Sequence, residues 1–250
     1  MSSQQLRQHK STVLARSLQE KDSLQHYNRS QRDVQRFGLL GGTFDPIHYG
    51  HLVIAEEVRT ALDLTKMVFV PAGYPPHKPE KTISETRHRL AMVELAIASN
   101  PHFSISTVDV ERPGPSYTVE TLRLLREQWG EEREIYFVIG WDSLEELPRW
   151  YNPVGILEQV THLVAVQRPG YIEVPGYRDQ LEERLPGLKR RLLTMPAPQL
   201  EISATDLRQR VAEGRPIKYQ TAEAVEQYII EHRLYGQGEK ATQRHDTHAS

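Results

Sequence analysis

Short apolar runs alternate with segments of helical periodicity along most of the chain, and this alternation limits the possible folds more than any other feature. Such an order is typical of strand–helix–strand units that build a parallel sheet. Strands are predicted at 37–40, 67–70, 103–110, 135–139 and 163–166, and helices at 52–62, 90–98, 118–129, 204–212 and 222–232. The sequence therefore predicts an α/β fold, doubly wound, with a mostly parallel sheet and helices on both faces.

Two regions depart from the simple pattern. The run 103–110 alternates apolar and polar residues, with Phe103, Ile105 and Thr107 on one side, which predicts a strand at the edge of the sheet. Residues 171–198 contain four prolines around a stretch rich in Leu and Arg, and they predict a connection with one short helix.

Composition excludes several classes of protein. The 250 residues include no cysteine, so disulfide scaffolds, thiolate zinc sites and cysteine nucleophiles are excluded. A formal charge of −2 gives no general attraction to nucleic acid or to an anionic membrane. No apolar run approaches the roughly 18 residues of a membrane-spanning helix. We expect a soluble, cytoplasmic protein whose partners are small molecules, and the sequence leaves its oligomeric state open.

The polar ends of the chain predict three regions. Residues 1–36 carry few apolar side chains and predict a disordered N-terminal extension, residues 37–235 form the main domain, and residues 236–250 predict a disordered tail. The first 19 residues contain Arg7, Lys10 and Arg16 but no acid, which is also a property of transit peptides.

The turn after the first predicted strand reads Gly-Gly-Thr-Phe-Asp-Pro-Ile-His-Tyr-Gly-His, from Gly41 to His51. Open α/β sheets bind ligands at this position, and paired glycines let the backbone approach an anion at the start of a helix. The segment matches neither the G-x-G-x-x-G pattern nor the P-loop pattern, so it supports neither a dinucleotide fold of that type nor a kinase-type NTPase.

His48 and His51 are three residues apart, so on a helix they share one face, with Gly50 between them leaving room for a ligand. No third metal ligand is well placed by spacing, so we predict no metal-ligating residues. The positive end of the helix lowers the pKa of both imidazoles until an anion arrives. The pair is predicted to bind a polyphosphate, and the alternative interpretation is a purely structural role.

The segment 41–51 resembles the signature of the HxGH nucleotidyltransferase superfamily, and its context is similar to that of bacterial nicotinate-nucleotide adenylyltransferases. The resemblance extends in order and spacing from residue 37 to residue 235, through segments at 74–78, 115–118, 140–150 and 202–208. It implies a Rossmann-like fold and adenylyl transfer from ATP to nicotinate mononucleotide, which gives deamido-NAD and pyrophosphate in NAD biosynthesis. It also implies Mg²⁺ as cofactor, held mainly through ATP phosphates.

The resemblance implies the following site residues. The catalytic residues are His48, His51 and Arg208. The ATP-binding residues are these three together with Gly42, Thr43, Phe44, Gly140, Asp142, Arg168, Ser203 and Thr205. The residues that bind the mononucleotide are Asp45, Lys78, Ser116, Tyr117, Thr118 and Trp150, with the ring of Trp150 stacked on the pyridine.

Several of these residues have an ordinary structural interpretation as well. Ser203 is equally typical of a helix cap, Trp150 of core packing, and Lys78 and Arg168 of solvated loop charges. Trp141 and Ala204 depart from the family pattern, in which a small residue and a second serine are usual at those positions.

Two alternative functions stay open, and two others disagree with the motifs. Transfer to nicotinamide mononucleotide differs only by an amide in place of a carboxylate, and a catalytically silent nucleotide-binding regulator would keep the same fold. Phosphopantetheine adenylyltransferases lack the segments at 115–118 and 150, and aminoacyl-tRNA synthetases carry a Lys-Met-Ser-Lys-Ser motif that is absent here.

Overall fold

The computed structural model describes residues 35–75, 83–167, 175–196, 198 and 200–236. Within these residues six strands are present: β1 Arg36–Gly42, β2 Lys66–Pro71, β3 Phe103–Ile105, β4 Glu134–Gly140, β5 His162–Gln167 and β6 Leu192–Pro196. The helices are α1 Tyr49–Ala61, α2 Thr86–Ile97, α3 Val108–Glu111, α4 Thr118–Trp129, α5 Trp141–Glu146, α6 Pro153–Gln159, α7 Tyr177–Arg184, α8 Leu188–Arg191, α9 Ala204–Ala212 and α10 Glu223–Glu231, with a 3₁₀ turn at Leu147–Arg149.

The six strands form one parallel sheet in the order β3-β2-β1-β4-β5-β6. Strand β1 lies in the middle and pairs with both β2 and β4, so the chain winds outward from it in both directions. This order confirms the predicted doubly wound, Rossmann-like fold, and β3 lies at an edge as predicted. The two halves diverge between β1 and β4, and a crevice forms there beyond the carboxyl ends of the strands.

Each face of the sheet buries its own apolar cluster. Successive residues of a strand point to opposite faces, so Leu39 joins one cluster and Leu40 the other. Helices α4, α5, α6, α7 and α8 cover the first face, and helices α1, α2, α9 and α10 cover the second. The near-continuous apolar sequences of the central strands follow from this two-sided burial.

Two predictions from the sequence are wrong in part. The predicted strand 103–110 ends at Ile105, and residues Val108–Glu111 form a short helix in which Asp109 is only 3% exposed. Asp109 pairs with Arg112 and accepts a hydrogen bond from Thr121, and these side-chain interactions stabilise a turn where the apolar pattern favoured a strand. The predicted connection 171–198 contains two helices and the edge strand β6, which pairs with β5.

The predicted extension and tail lie outside the described residues, apart from Gln35, Arg36, which begins β1, and Gly236. In the part of the chain that is described, no helix is long and apolar enough to cross a membrane.

Close packing of β1 on the second face predicts a difference between two of its glycines. A Cβ at Gly38 would lie 2.7 Å from the Sδ of Met67 and 2.8 Å from Leu64, whereas a Cβ at Gly41 would meet only Phe137, at 4.0 Å. Because Met67 and Leu64 are buried, Gly38→Ala is expected to lower the free energy of unfolding by about 1 to 3 kcal/mol. Urea denaturation measures this change.

Gly41→Ala, in the same strand, is the matched control and is expected to change stability by less than about 1 kcal/mol. Equal losses in the two variants would contradict the packing argument.

Candidate active site

A cavity of about 640 Å³ opens at the carboxyl ends of β1, β2, β4 and β5. It lies at the crevice that the strand order creates, and its size suits a nucleotide-sized ligand. The predicted site residues that line it come from four separate parts of the chain: Gly42, Thr43, His51, Ser116, Thr118, Gly140, Asp142 and Trp150.

The turn between β1 and α1 forms one wall of this cavity. Phe44 has a positive φ of 50°, and the peptide between Asp45 and Pro46 is cis. The Phe44 side chain is buried and packs edge-on against the ring of His51, with centroids 5.1 Å apart. The buried Phe44 ring therefore restricts the position of the His51 ring.

Asp45 was predicted to bind the mononucleotide, but the structure shows a carboxylate with internal partners. It is 3% exposed, one oxygen accepts a hydrogen bond from Tyr235 Oη at 2.6 Å, and the other accepts one from the amide of Ser84 at 3.1 Å. Burial raises the pKa of Tyr235, and the charge of Asp45 and this hydrogen bond add to the effect. In this structure Asp45 organises the turn from behind the cavity.

His48 and His51 are in direct contact at the start of α1. His48 is the N-cap residue in an extended conformation, and the two rings stack with centroids 3.8 Å apart. The backbone amide of His48 donates a hydrogen bond to Nδ1 of His51 at 3.3 Å. Because Nδ1 accepts, the proton of a neutral His51 lies on Nε2.

His48 is held in its neutral form. Burial lowers its pKa to about 4, because the charged form of the imidazole loses its solvation. Gly50 serves the same packing, because a Cβ there would lie 3.0 Å from Cε1 and Nδ1 of His48. Gly50 also lines the cavity, so the missing side chain leaves room for the His48 ring and keeps this part of the wall open.

The start of α9 lies beside the start of α1. Ser203 caps α9, its Oγ accepting a hydrogen bond from the amide of Asp206 at 3.1 Å. Arg208 donates to the carbonyl oxygen of Asp45 at 2.7 Å and to Oγ1 of Thr205 at 3.3 Å. The structure thus brings Arg208 to the turn that carries both histidines, 163 residues earlier in the chain.

The predicted mononucleotide side lies at the start of α4. Ser116 Oγ accepts from the amide of Tyr74 at 2.9 Å, which ties the loop after β2 to this helix. Tyr117 stacks on Tyr151 with centroids 4.4 Å apart. Trp150 packs partly on the first apolar cluster and also lines the cavity.

The end of β4 supplies Gly140 and Asp142 to the cavity, with Trp141 between them. Trp141 is 7% exposed and packs near Tyr177, with centroids 5.3 Å apart, so this large residue is accommodated largely in the core. Lys78 and Arg168 lie outside the described residues.

Over the described ranges, no group of three or more His, Asp or Glu side chains is arranged to hold a metal ion. The carboxylate of Asp109, which lines the cavity, is already engaged by Arg112 and Thr121.

Sequence reasoning missed the residues that stabilise the site from behind. Arg89 is 1% exposed, and Tyr235, near the end of the described chain, holds Asp45. Thr221 donates to the carbonyl oxygen of Ile47 at 2.7 Å. Nothing in the local sequence of Arg89, Tyr235 or Thr221 indicated these contacts.

Comparisons with known proteins agree with this geometry. The model of the cytidylyltransferase-like family matches residues 39–210. A protein of Roseiflexus sp. (strain RS-1), named a probable nicotinate-nucleotide adenylyltransferase, is 52% identical over 199 residues, which cover 79% of this chain and 96% of the relative. A protein of Bacillus pumilus with the same name is 41% identical over 81% of this chain and 99% of its own.

A solved structure shares the fold at low sequence identity. The nicotinic acid mononucleotide adenylyltransferase of Plasmodium falciparum, complexed with NaAD, superposes with a TM-score of 0.64 and 18% identity, covering 80% of this chain and 97% of that one.

The parallel sheet, the paired histidines at the start of α1 and the cavity beside them define a nucleotidyltransferase of the cytidylyltransferase-like class. Within this class, the two relatives described above are 41% and 52% identical to the chain over nearly their whole length, and both are named probable nicotinate-nucleotide adenylyltransferases. The chain belongs to the nicotinate-nucleotide adenylyltransferase family.

The burial of His48 predicts how stability depends on pH. The unfolded chain protonates this histidine near 6.5 and the folded chain only near 4, so its contribution is present above pH 6.5 and is lost as the pH falls toward 4. This difference between the two pKa values corresponds to about 3 kcal/mol in the free energy of unfolding. Urea denaturation at pH 7 and pH 4 measures it, and His48→Gln is expected to lose this part of the pH dependence.

His102→Gln, at an exposed position, is the control and is expected to keep the pH dependence of the wild type. A His48→Gln variant with the same slope as the wild type would show that His48 is not buried in its neutral form.

Proposed function

We propose that this chain transfers the adenylyl group of ATP to nicotinate mononucleotide, giving deamido-NAD and pyrophosphate. The observation that carries this proposal is the junction of two helix N-termini, where Arg208 of α9 contacts the turn that presents His48 and His51 beside the cavity. Helix N-termini and an arginine together suit the triphosphate of ATP. The relatives in this family bear the name of the same activity.

The reaction requires positioning rather than acid–base chemistry. A phosphate oxygen of the mononucleotide attacks the α-phosphorus of ATP, and the bond to the β-phosphate oxygen breaks as pyrophosphate leaves. The attacking oxygen is already an anion, so the site needs no general base. In our proposal the Nε2–H of His51 donates to the α-phosphate as charge develops on it, and Arg208 stabilises the phosphates from the α9 side.

His48 has a different proposed role, because it is buried and neutral. Its stacked ring fixes the plane of His51, and the His48 amide fixes the position of the His51 proton. Gly42 and Thr43 line the cavity and complete the phosphate side, while Ser203 and Thr205 shape the start of α9. Phe44 acts through its contact with His51.

The other end of the cavity is proposed to bind the two nucleosides. Gly140 and Asp142 would meet ribose hydroxyls, and Arg168 would approach the adenine. Ser116, Tyr117, Thr118 and Lys78 would hold the mononucleotide. The exposed cavity face of Trp150 would stack on the pyridine, a contact worth about 1 to 3 kcal/mol by analogy with base stacking.

Mg²⁺ is the proposed cofactor, and it would neutralise phosphate charge while bound mainly to ATP oxygens and water. We propose that residues 37–235 form the catalytic domain, supported by the family match over residues 39–210. A cytoplasmic location fits an enzyme that consumes ATP.

Removing the proposed phosphate donor tests the mechanism. His51→Ala is expected to lower kcat by about 10² to 10³, because one hydrogen bond to the transition state is lost. Steady-state pyrophosphate release measures kcat. His102→Ala, which removes an exposed imidazole, is the control and is expected to retain wild-type activity. Near-normal turnover by His51→Ala would remove this residue from the mechanism.

The choice of substrate is tested by pyrophosphate release from Mg-ATP with nicotinate mononucleotide, nicotinamide mononucleotide and phosphopantetheine. We expect kcat/KM to be at least tenfold higher for the acid than for the amide, a difference of about 1.4 kcal/mol. Preference for the amide would keep the mechanism and change the substrate. No turnover with any of the three would support the nucleotide-binding regulator instead.

A further inference from the structure

Arg89 is a cation buried in the core, on helix α2, and the reaction described above does not use it. Its guanidinium is 1% exposed, yet all five of its N–H donors have partners. The acceptors are the carbonyl oxygens of Ser84 at 3.1 Å, Thr43 at 3.0 Å, Ala72 at 2.7 Å and Gly73 at 3.3 Å, and Oγ1 of Thr86 at 2.9 Å.

These acceptors lie on separate segments that meet at the cavity. Thr43 belongs to the turn after β1, whereas Ala72 and Gly73 belong to the loop after β2. Thr43 and Ala72 both line the cavity. The planar guanidinium thus fixes the distance between the phosphate turn and the neighbouring loop, because one NH₂ group donates to both Thr43 and Ala72.

A buried cation is costly, and the structure shows what offsets the cost. Burial lowers the pKa of Arg89, while the negative charge of Asp45 opposes that effect. Asp45 in turn accepts from the amide of Ser84, whose carbonyl oxygen accepts from Arg89. An apolar side chain would fill this space without desolvating a charge, so packing alone does not account for an arginine here.

We propose that Arg89 is a positioning residue for adenylyl transfer, which holds the phosphate-binding turn at Thr43 in register with the loop at Ala72 and Gly73. The proposal rests on the proposed function, since it assigns Arg89 to the same site. A misplacement of about 1 Å in such a wall costs about 10²-fold in rate, so the geometry of these carbonyl groups bears directly on turnover. Arg89 contacts no reacting atom and acts through the backbone of Thr43.

The variants Arg89→Gln and Arg89→Lys test this role. The matched controls are Arg87→Gln and Arg87→Lys on the same helix, because the Arg87 side chain is 73% exposed and pairs only with Glu85 among the described residues. We expect both Arg89 variants to melt at a lower temperature and, when assayed well below that temperature, to lose at least 30-fold in kcat. The Arg87 variants are expected to stay within twofold of the wild type.

The kcat of the folded protein separates positioning from stability. If Arg89 only stabilises the fold, its variants will keep the wild-type kcat once the unfolded fraction is removed by assaying at low temperature, and that result overturns the proposal. If Arg89→Gln does not fold, Arg89→Lys decides. If both variants fail to fold, the test uses Thr86→Val, which removes one acceptor and keeps the guanidinium. Its kcat is compared with that of the wild type in the same way, and we expect a loss of at least threefold.

If the proposed function itself is wrong, the role of Arg89 can still be tested by ligand binding. If the wild type turns over none of the mononucleotides, calorimetric titration with Mg-ATP provides a readout that does not depend on activity. We then expect the Arg89 variants to bind ATP at least tenfold more weakly than the Arg87 variants. Equal affinities would overturn the positioning role whatever the reaction.

Discussion

The turn between β1 and α1 has no regular secondary structure, and the rest of the site depends on how its buried backbone groups find partners. Buried carbonyl groups without hydrogen bonds are strongly unfavourable. Here distant side chains supply the donors: Arg89 to Thr43, Arg208 to Asp45 and Thr221 to Ile47. The conformation that places two histidines at the start of α1 is therefore a property of the whole domain and not of the turn alone.

The same arrangement explains why the two histidines differ. His48 faces the interior, where burial keeps it neutral, and its ring stacks on His51 and fixes the orientation of that ring. His51 lines the cavity with Nδ1 already occupied by the His48 amide. One imidazole is thus part of the support and the other lines the cavity, although in the sequence they look equivalent.

Much of the fold could be predicted because it depends on local patterns. The central strands are apolar on both faces, and the glycine-rich turn has a recognisable composition, so β1, β2, β4, β5 and the position of the site followed from the sequence. The edge strand β6 did not, since an edge strand lacks the continuous apolar run of a central one. Strand β3 was predicted too long because Asp109 joins a side-chain network that no periodicity records.

The candidate site was predicted in the same uneven way. Residues of the proposed phosphate site carry polar types at characteristic spacing, as with His51 and Arg208. The supporting residues carry no such mark, because the role of Arg89 or Tyr235 is defined only by what the folded chain places next to it. Asp45 is a further example: the resemblance implied a contact with the mononucleotide, while the fold gives both of its oxygens internal partners.

The contacts of Asp45 and Ile47 with Arg208, Thr221 and Tyr235 span 163, 174 and 190 residues. During synthesis on the ribosome, the central strands can pair long before these partners emerge, whereas the histidine turn must wait for the last part of the domain. Closing such long loops is slow relative to local pairing. A nascent chain would therefore hold a nearly complete sheet with an unfinished catalytic turn, and binding of ATP would begin only after the domain has left the exit tunnel.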